Sequence, residues 1–176
     1  MKIDRAVIEV NGGCNYSCTM CPQDKRTGGR DKRFLQKMSL MEFEDNVRDC
    51  AKHGLRVVNL EGSGEPTLAR NLDEYIKIVK KYNALAFCFS NGYRMFGRYM
   101  KRCVDAGLDF YRFSMIGYDT NKYNEMMHNR IGGNFDMICE NIMEMQDYVE
   151  KSGSDCVVAT YHLITDTDNQ EEELEK

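Results

Sequence analysis

Three cysteines near the start of the chain have a spacing that can bind metal. Cys14, Cys18 and Cys21 follow the pattern C-x3-C-x2-C within NGGCNYSCTMCP, residues 11–22. A structural zinc site usually has four ligands in two short pairs, and the sequence has no second Cys or His pair. A four-iron cluster held by three cysteines leaves one iron open to an outside ligand. The spacing therefore favours an iron–sulfur cluster with an open position, and zinc or structural thiols are the alternatives.

The remaining cysteines have no ligand spacing. Each lies within an apolar helical stripe or an apolar strand pattern, where a cysteine usually acts as a small hydrophobic residue. They are Cys50, Cys88, Cys103, Cys139 and Cys156. We expect these thiols to be buried and not to bind a second cluster.

Length and composition limit the class of protein. The chain has 176 residues and a net charge of −4, which fits one domain over residues 1–176 and shows no electrostatic footprint for nucleic acid. No apolar run approaches the roughly 20 residues of a membrane span, and residues 1–10 do not resemble a signal peptide. We therefore expect a cytoplasmic protein without a membrane partner. The basic stretch 23–33 is expected to be a solvated loop, with binding of a phosphate or acidic group as the alternative.

Strand-like and helix-like patterns alternate along the chain. The apolar, β-branched or aromatic runs span residues 5–10, 55–60, 84–90, 109–116 and 155–164. Because these runs are nearly continuous, they predict strands of a parallel sheet covered on both faces. Ser39 and Glu42 form a capping-box pattern that opens the first helix, and a later helical stripe includes Phe96 and Met100. The alternation predicts an α/β fold built from right-handed βαβ units.

Polar and glycine-rich residues follow every predicted strand. The sequences at these positions are NGGCNYSC, EGSGEPT, SNGY, GYDTN and TDTDN. In parallel α/β folds the carboxyl ends of the strands meet at one rim, where ligands bind. We therefore expect the cysteine triplet, Glu65, Asn91 and Asp119 to lie together.

The cysteine motif and the GSGEP turn at residues 62–66 resemble the radical SAM superfamily. The resemblance implies a [4Fe-4S] cluster whose open iron is chelated by the amino and carboxylate groups of S-adenosyl-L-methionine. Members cleave this cofactor reductively to a 5′-deoxyadenosyl radical, which abstracts hydrogen from a substrate. The implied fold is a partial parallel (β/α) barrel of six units, of which about five are present here.

The resemblance also suggests residues that position the cofactor. Glu65 is expected to accept hydrogen bonds from the methionine ammonium group, and the glycines of its turn to let the backbone approach the cofactor. Ser114 corresponds to a serine that meets the ribose, and Arg130 to an arginine near the cofactor. The full implied set is Met20, Gly64, Glu65, Ser90, Asn91, Ser114 and Arg130. Two positions depart from the family pattern, since Met20 replaces a common aromatic residue and Ser63 a glycine.

The resemblance leaves the substrate open. It implies a reductant such as flavodoxin or ferredoxin and an unidentified small-molecule or peptide substrate. The alternative is a non-catalytic metal-binding module or an inactive truncated barrel, although a metal module has no use for the GSGEP carboxylate. The sequence stops at DNQEEELEK, near the start of a fifth helix. We therefore expect the C-terminal unit of the barrel to be missing and the last strand to be an exposed edge that favours self-association.

Overall fold

Five parallel strands form one sheet in the part of the chain that the computed structural model describes, residues 2–21, 31–117, 119–128 and 135–163. The strands are β1 (Arg5–Val7), β2 (Val57–Leu60), β3 (Leu85–Ser90), β4 (Phe110–Ser114) and β5 (Val157–Tyr161). They pair in the order β1-β2-β3-β4-β5, so each crossover leads to the neighbouring strand. The predicted α/β class with a parallel sheet is confirmed.

Helices connect successive strands. They are α1 (Leu40–Ala51), α2 (Leu72–Lys81), α3 (Gly97–Asp105), α4 (Thr120–Met126) and α5 (Phe135–Ser152), with short 3-10 turns at Lys32–Phe34 and Pro66–Leu68. The capping box at the start of α1 is confirmed. The Ser39 hydroxyl accepts from the Glu42 amide at 3.2 Å, and a Glu42 carboxylate oxygen accepts from the Ser39 amide at 2.9 Å.

The predicted positions of two residues were wrong. Phe96, predicted in the buried stripe of α3, stands at the N-cap of that helix and is 50% exposed. Asp119, expected in the functional cluster, instead caps the short helix α4, because its carboxylate accepts from the Lys122 amide at 2.8 Å. Helix α4 was not predicted, because its seven residues are too short for a periodic apolar stripe.

The two faces of the sheet differ in their surroundings. Successive side chains of a strand point to opposite faces. On the outer face, side chains such as Val58, Leu60 and Phe113 join the buried core with residues of the helices. On the inner face, Leu85 and Val157 are 43% and 53% exposed. The prediction that both faces are covered is therefore confirmed only for the outer, helix-covered face among the described residues.

The non-motif cysteines follow the same division. Cys88, Cys103 and Cys156 are buried in the core, as predicted, whereas Cys50 and Cys139 are only half-buried on their helices. All of them are free thiols.

None of the helices in the described ranges has both the length and the apolar character needed to cross a membrane.

Candidate functional site

A cavity of about 220 Å³ lies at the carboxyl ends of the strands. Its wall combines residues from the loop after β1 and from the ends of β2, β3 and β4. Of the predicted site residues, it includes Cys14, Cys18, Met20, Cys21, Gly64, Glu65, Ser90, Asn91 and Ser114. The structure thus brings together nine of the residues singled out from the sequence, while Arg130 lies outside the described residues.

Helix α4 and the segment before α1 hold the cysteine loop by its backbone. The Ser17 amide donates to the His128 carbonyl at 2.8 Å, and the Thr19 amide donates to the Met126 carbonyl at 3.0 Å. At the start of the loop, the Gly12 amide donates to the Gln36 carbonyl at 2.9 Å. These bonds hold the backbone of the loop that carries the cysteines, and α4 therefore supports the site.

A pair of buried tyrosines anchors the same loop from below. The hydroxyl oxygens of Tyr16 and Tyr123 lie 3.1 Å apart, and both side chains are buried. Tyr16 stands between the first two cysteines of the motif, and its amide donates to the Cys14 sulfur at 3.4 Å. The loop is thus joined to α4 through a side chain as well as through its backbone.

The three thiols fit an iron–sulfur cluster. Burial, with a smaller contribution from the neighbouring Cys14 and Cys21, raises the pKa of the Cys18 thiol to about 12. Three thiolates at this place are therefore unfavourable without bound cations, which the irons of a cluster would supply. No three His, Cys, Asp or Glu side chains of the described residues are placed to hold a single metal ion. A cluster does not need that convergence, because each thiolate binds a different iron atom.

Glu65 is the most heavily hydrogen-bonded side chain of the site. One carboxylate oxygen, Oε1, accepts from the Thr67 amide at 2.9 Å and from the hydroxyls of Thr67 and Ser90 at 2.6 Å. The other, Oε2, accepts from the Asn91 amide at 2.9 Å. Burial raises the pKa of Glu65, and these four donors oppose that shift because they stabilise the ionised carboxylate. Glu65 therefore joins the turn after β2 to the end of β3.

Two asparagines join these turns to the cysteine loop. The side-chain amide of Asn11 donates to the Glu65 carbonyl at 2.9 Å, and the Asn91 side-chain amide donates to the Asn15 side-chain oxygen at 2.9 Å. The Glu65 amide also donates to the Gly13 carbonyl at 2.8 Å. Asn11 and Asn15 were not singled out from the sequence, although both flank the first motif cysteine within NGGCN.

Gly64 has a packing role that differs from the expected one. A side chain at this position would collide with the backbone of Asn11 and Gly12. The close approach that the glycine permits is therefore to the cysteine loop of the chain itself. Packing within the chain is therefore enough to explain a glycine at this position. An approach of its backbone to the cofactor stays a prediction.

Ser90 and Asn91 are also engaged within the chain. The Ser90 hydroxyl accepts from the Gly92 amide at 3.0 Å, in addition to its bond to Glu65, and the Asn91 side-chain oxygen accepts from the Tyr93 amide at 3.0 Å. Their direct contact with a cofactor stays a prediction. What the structure adds is that they build the rim of the cavity.

Several further residues of the cavity wall were not singled out from the sequence, among them two charged side chains. Glu61, Phe89 and Arg112 line the same cavity as the cysteines. Phe89 and Arg112 belong to apolar strand patterns, so their position on the inner face depends on strand register. A charged residue inside DFYRFSMI was the available signal for Arg112.

The family model of the Radical SAM superfamily matches residues 8–176. The chain therefore belongs to the radical SAM superfamily.

Curated relatives with similar sequences include two archaeal proteins. The probable GTP 3′,8-cyclase of Pyrococcus horikoshii is 32% identical over 116 residues, covering 66% of this chain and 35% of that protein. The probable GTP 3′,8-cyclase of Thermococcus kodakarensis is 35% identical over 104 residues, covering 58% of this chain and 31% of that protein. The chain spans about a third of the length of these relatives.

Solved structures agree with the fold. The methylornithine synthase PylB aligns with a TM-score of 0.71 at 16% identity, covering 99% of this chain and 50% of that chain. SuiB of Streptococcus suis, bound to S-adenosylmethionine, also aligns with a TM-score of 0.71, at 15% identity, covering 99% of this chain and 37% of that chain. These likenesses confirm the partial-barrel fold.

The buried hydrogen bonds of Glu65 predict the effect of an isosteric change. In Glu65→Gln, the amide NH₂ faces a donor in either orientation, so we expect a loss of about 1–3 kcal/mol in the free energy of unfolding. The matched control is Glu61→Gln, since Glu61 lines the same cavity but, among the described residues, accepts only from the Asn59 side-chain amide, at 2.8 Å. Urea unfolding measures both. Equal stability of the two variants would contradict the role given to Glu65.

Proposed function

We propose that this chain is the cofactor-binding core of a radical SAM enzyme that binds a [4Fe-4S] cluster and S-adenosyl-L-methionine. When bound and reduced, this pair supplies a 5′-deoxyadenosyl radical that abstracts a hydrogen atom from the substrate. The observation that carries the proposal is the single cavity lined by the three motif cysteines and by Glu65. Family membership supports the same chemistry.

Different residues of the chain would bind the cluster and the cofactor. Cys14, Cys18 and Cys21 would hold three irons of the cluster. Glu65 has one donor on Oε2 and three on Oε1, so Oε2 keeps capacity to accept from an ammonium group. This geometry supports the predicted contact of Glu65 with the methionine end of the cofactor.

Two further contacts remain parts of the proposal. Met20 and Ser114 line the cavity and would pack against adenine and meet the ribose, respectively. Arg130 is proposed to lie near the cofactor on the family resemblance alone. In each case the protein supplies orientation and exclusion of water, while the cofactors supply the radical chemistry.

The alternative of a non-catalytic metal module explains less. A structural metal site requires its ligands and their immediate support. It does not account for a buried carboxylate with four donors at the end of the next strand. No observation in the described residues favours that alternative.

Partners and location are proposed at a coarser level. We propose a one-electron reductant such as flavodoxin or ferredoxin, a small-molecule or peptide substrate, and a reducing, cytoplasmic compartment that suits the free thiols. GTP 3′,8-cyclisation is the activity named for relatives of which this chain covers about a third. That comparison therefore does not identify the substrate of this chain.

Cluster binding should depend on the motif cysteines alone. After anaerobic reconstitution with iron and sulfide, we expect about four irons per chain. We also expect a broad absorption at about 400 nm that dithionite bleaches. Cys18→Ala should lose both, because one iron loses its thiolate. Cys139→Ala is the matched control, since this half-buried thiol lies on α5 and outside the cavity wall. The reduced protein should also convert S-adenosylmethionine to 5′-deoxyadenosine.

Two outcomes would contradict the proposal. One is stoichiometric zinc with tetrahedral sulfur ligation in anaerobically purified protein. The other is a full cluster in Cys18→Ala together with loss of the cluster in Cys139→Ala.

The last strand supports a proposal of self-association. β5 pairs with β4, and in the described ranges no strand pairs with its other edge. Val157, on the inner face of this strand, is 53% exposed, and the backbone groups of an edge strand favour pairing with another chain. We expect light scattering to show a mass that rises with protein concentration, and Val157→Lys to reduce that rise. A constant monomer mass for the unmodified chain would contradict this expectation.

A further inference from the structure

Arg112 lies on the inner face of the partial barrel, below the rim of the cavity. It occupies the middle of β4, where its register partners are Phe89 on β3 and Ala159 on β5. Its side chain is on the inner face, and it lines the same cavity as the motif cysteines. An arginine at this place is the one strongly basic group that the cavity wall contains among the described residues.

Aromatic rings flank the guanidinium group. Its central carbon lies 3.9 Å from the ring centroid of Phe89 and 4.6 Å from that of Tyr161. These rings come from β3 and β5, the strands on either side of β4. Stacked rings stabilise the cation and hold its plane, but they accept no conventional hydrogen bond. The in-plane N–H groups are therefore the polar surface that remains.

Arg112 has no acidic partner among the described residues. Its Nε atom is buried and donates to no acceptor, and no ion pair of the described residues includes this side chain. Other arginines are paired, as Arg102 is with Asp73 at 2.9 Å and Arg48 with Asp45 at 2.7 Å. A buried donor without an acceptor is unfavourable, so the pattern points to a ligand atom that completes it.

Neither carboxylate of the same cavity forms an ion pair with Arg112 among the described residues. Glu61 accepts from the Asn59 side-chain amide at 2.8 Å. Glu65 accepts from the turn after β2 and from the end of β3. Both acids are thus committed to neighbours other than Arg112.

We propose that Arg112 binds a carboxylate or phosphate group of the substrate. The fork of N–H donors on a guanidinium group matches the paired oxygens of these anions. The inference rests on the proposed function, in which the cofactor carboxylate has the open iron as its partner. Arg112 also lies two residues before Ser114, the predicted ribose contact, and hence about 6–7 Å deeper in the barrel. An anion bound there lies beneath the cofactor, where a substrate must approach.

Calorimetric titration of the reconstituted protein, loaded with S-adenosylmethionine, tests this proposal. The probes are inorganic phosphate and acetate, with chloride at equal ionic strength as the blank. We expect saturable binding of at least one probe, at least tenfold weaker in Arg112→Gln. Arg112→Lys, which keeps the charge but loses the fork, should fall between them. Arg5→Gln is the matched control, because Arg5 stacks on Phe87 of the same inner face, at 5.9 Å, away from the cavity wall.

The affinity for S-adenosylmethionine separates substrate from cofactor. It should change less than twofold in Arg112→Gln, and formation of 5′-deoxyadenosine without substrate should persist. Absence of saturable anion binding in the unmodified protein would overturn the inference, as would binding in Arg112→Gln that is as tight as in the unmodified protein. A parallel loss of cofactor affinity would assign Arg112 to the cofactor instead. Failure of the proposed function would appear separately, as absence of the cluster or of cofactor cleavage in the unmodified protein.

Discussion

The buried carboxylate of Glu65 is the constraint on which the rest of the site depends. A carboxylate removed from water is costly unless donors surround it. Here the donors come from Thr67, Ser90 and Asn91, on segments that follow two different strands. If either segment moves, the charge loses its partners. The network therefore holds the ends of β2 and β3 in one arrangement, and the Glu65 backbone extends that arrangement to the cysteine loop through Gly13.

The rim and the interior of the partial barrel contain polar side chains with different hydrogen bonding. At the rim, Glu65, Ser90 and Asn91 find partners within the chain. On the inner face, the Nε atom of Arg112 and the side-chain oxygen of Asn59 are buried without one. The hydrogen bonds of Glu65, Ser90 and Asn91 thus hold the rim in one arrangement, while Arg112 and Asn59 keep capacity for a further partner. Asn15 at the rim also has a buried side-chain nitrogen without a partner among the described residues.

Most of the site could be predicted from the sequence because parallel strands end at one rim. This rule placed the cysteine triplet, Glu65 and Asn91 together although they are distant along the chain. It could not place Asp119, because a carboxylate after a strand can equally cap a helix. Nor could it find Arg112, because strand register decides which face a residue joins. The short helix α4, which supports the cysteine loop, left no periodic pattern to detect.

The central claim is that the rim presents a cluster with one iron open to S-adenosylmethionine. Electron paramagnetic resonance of the dithionite-reduced, reconstituted protein tests this claim most directly, because the signal of a reduced cluster reports on the ligands of its irons. The account predicts a reduced-cluster signal whose g values shift when S-adenosylmethionine is added. A cluster signal that S-adenosylmethionine leaves unchanged, even at a large molar excess, would contradict it.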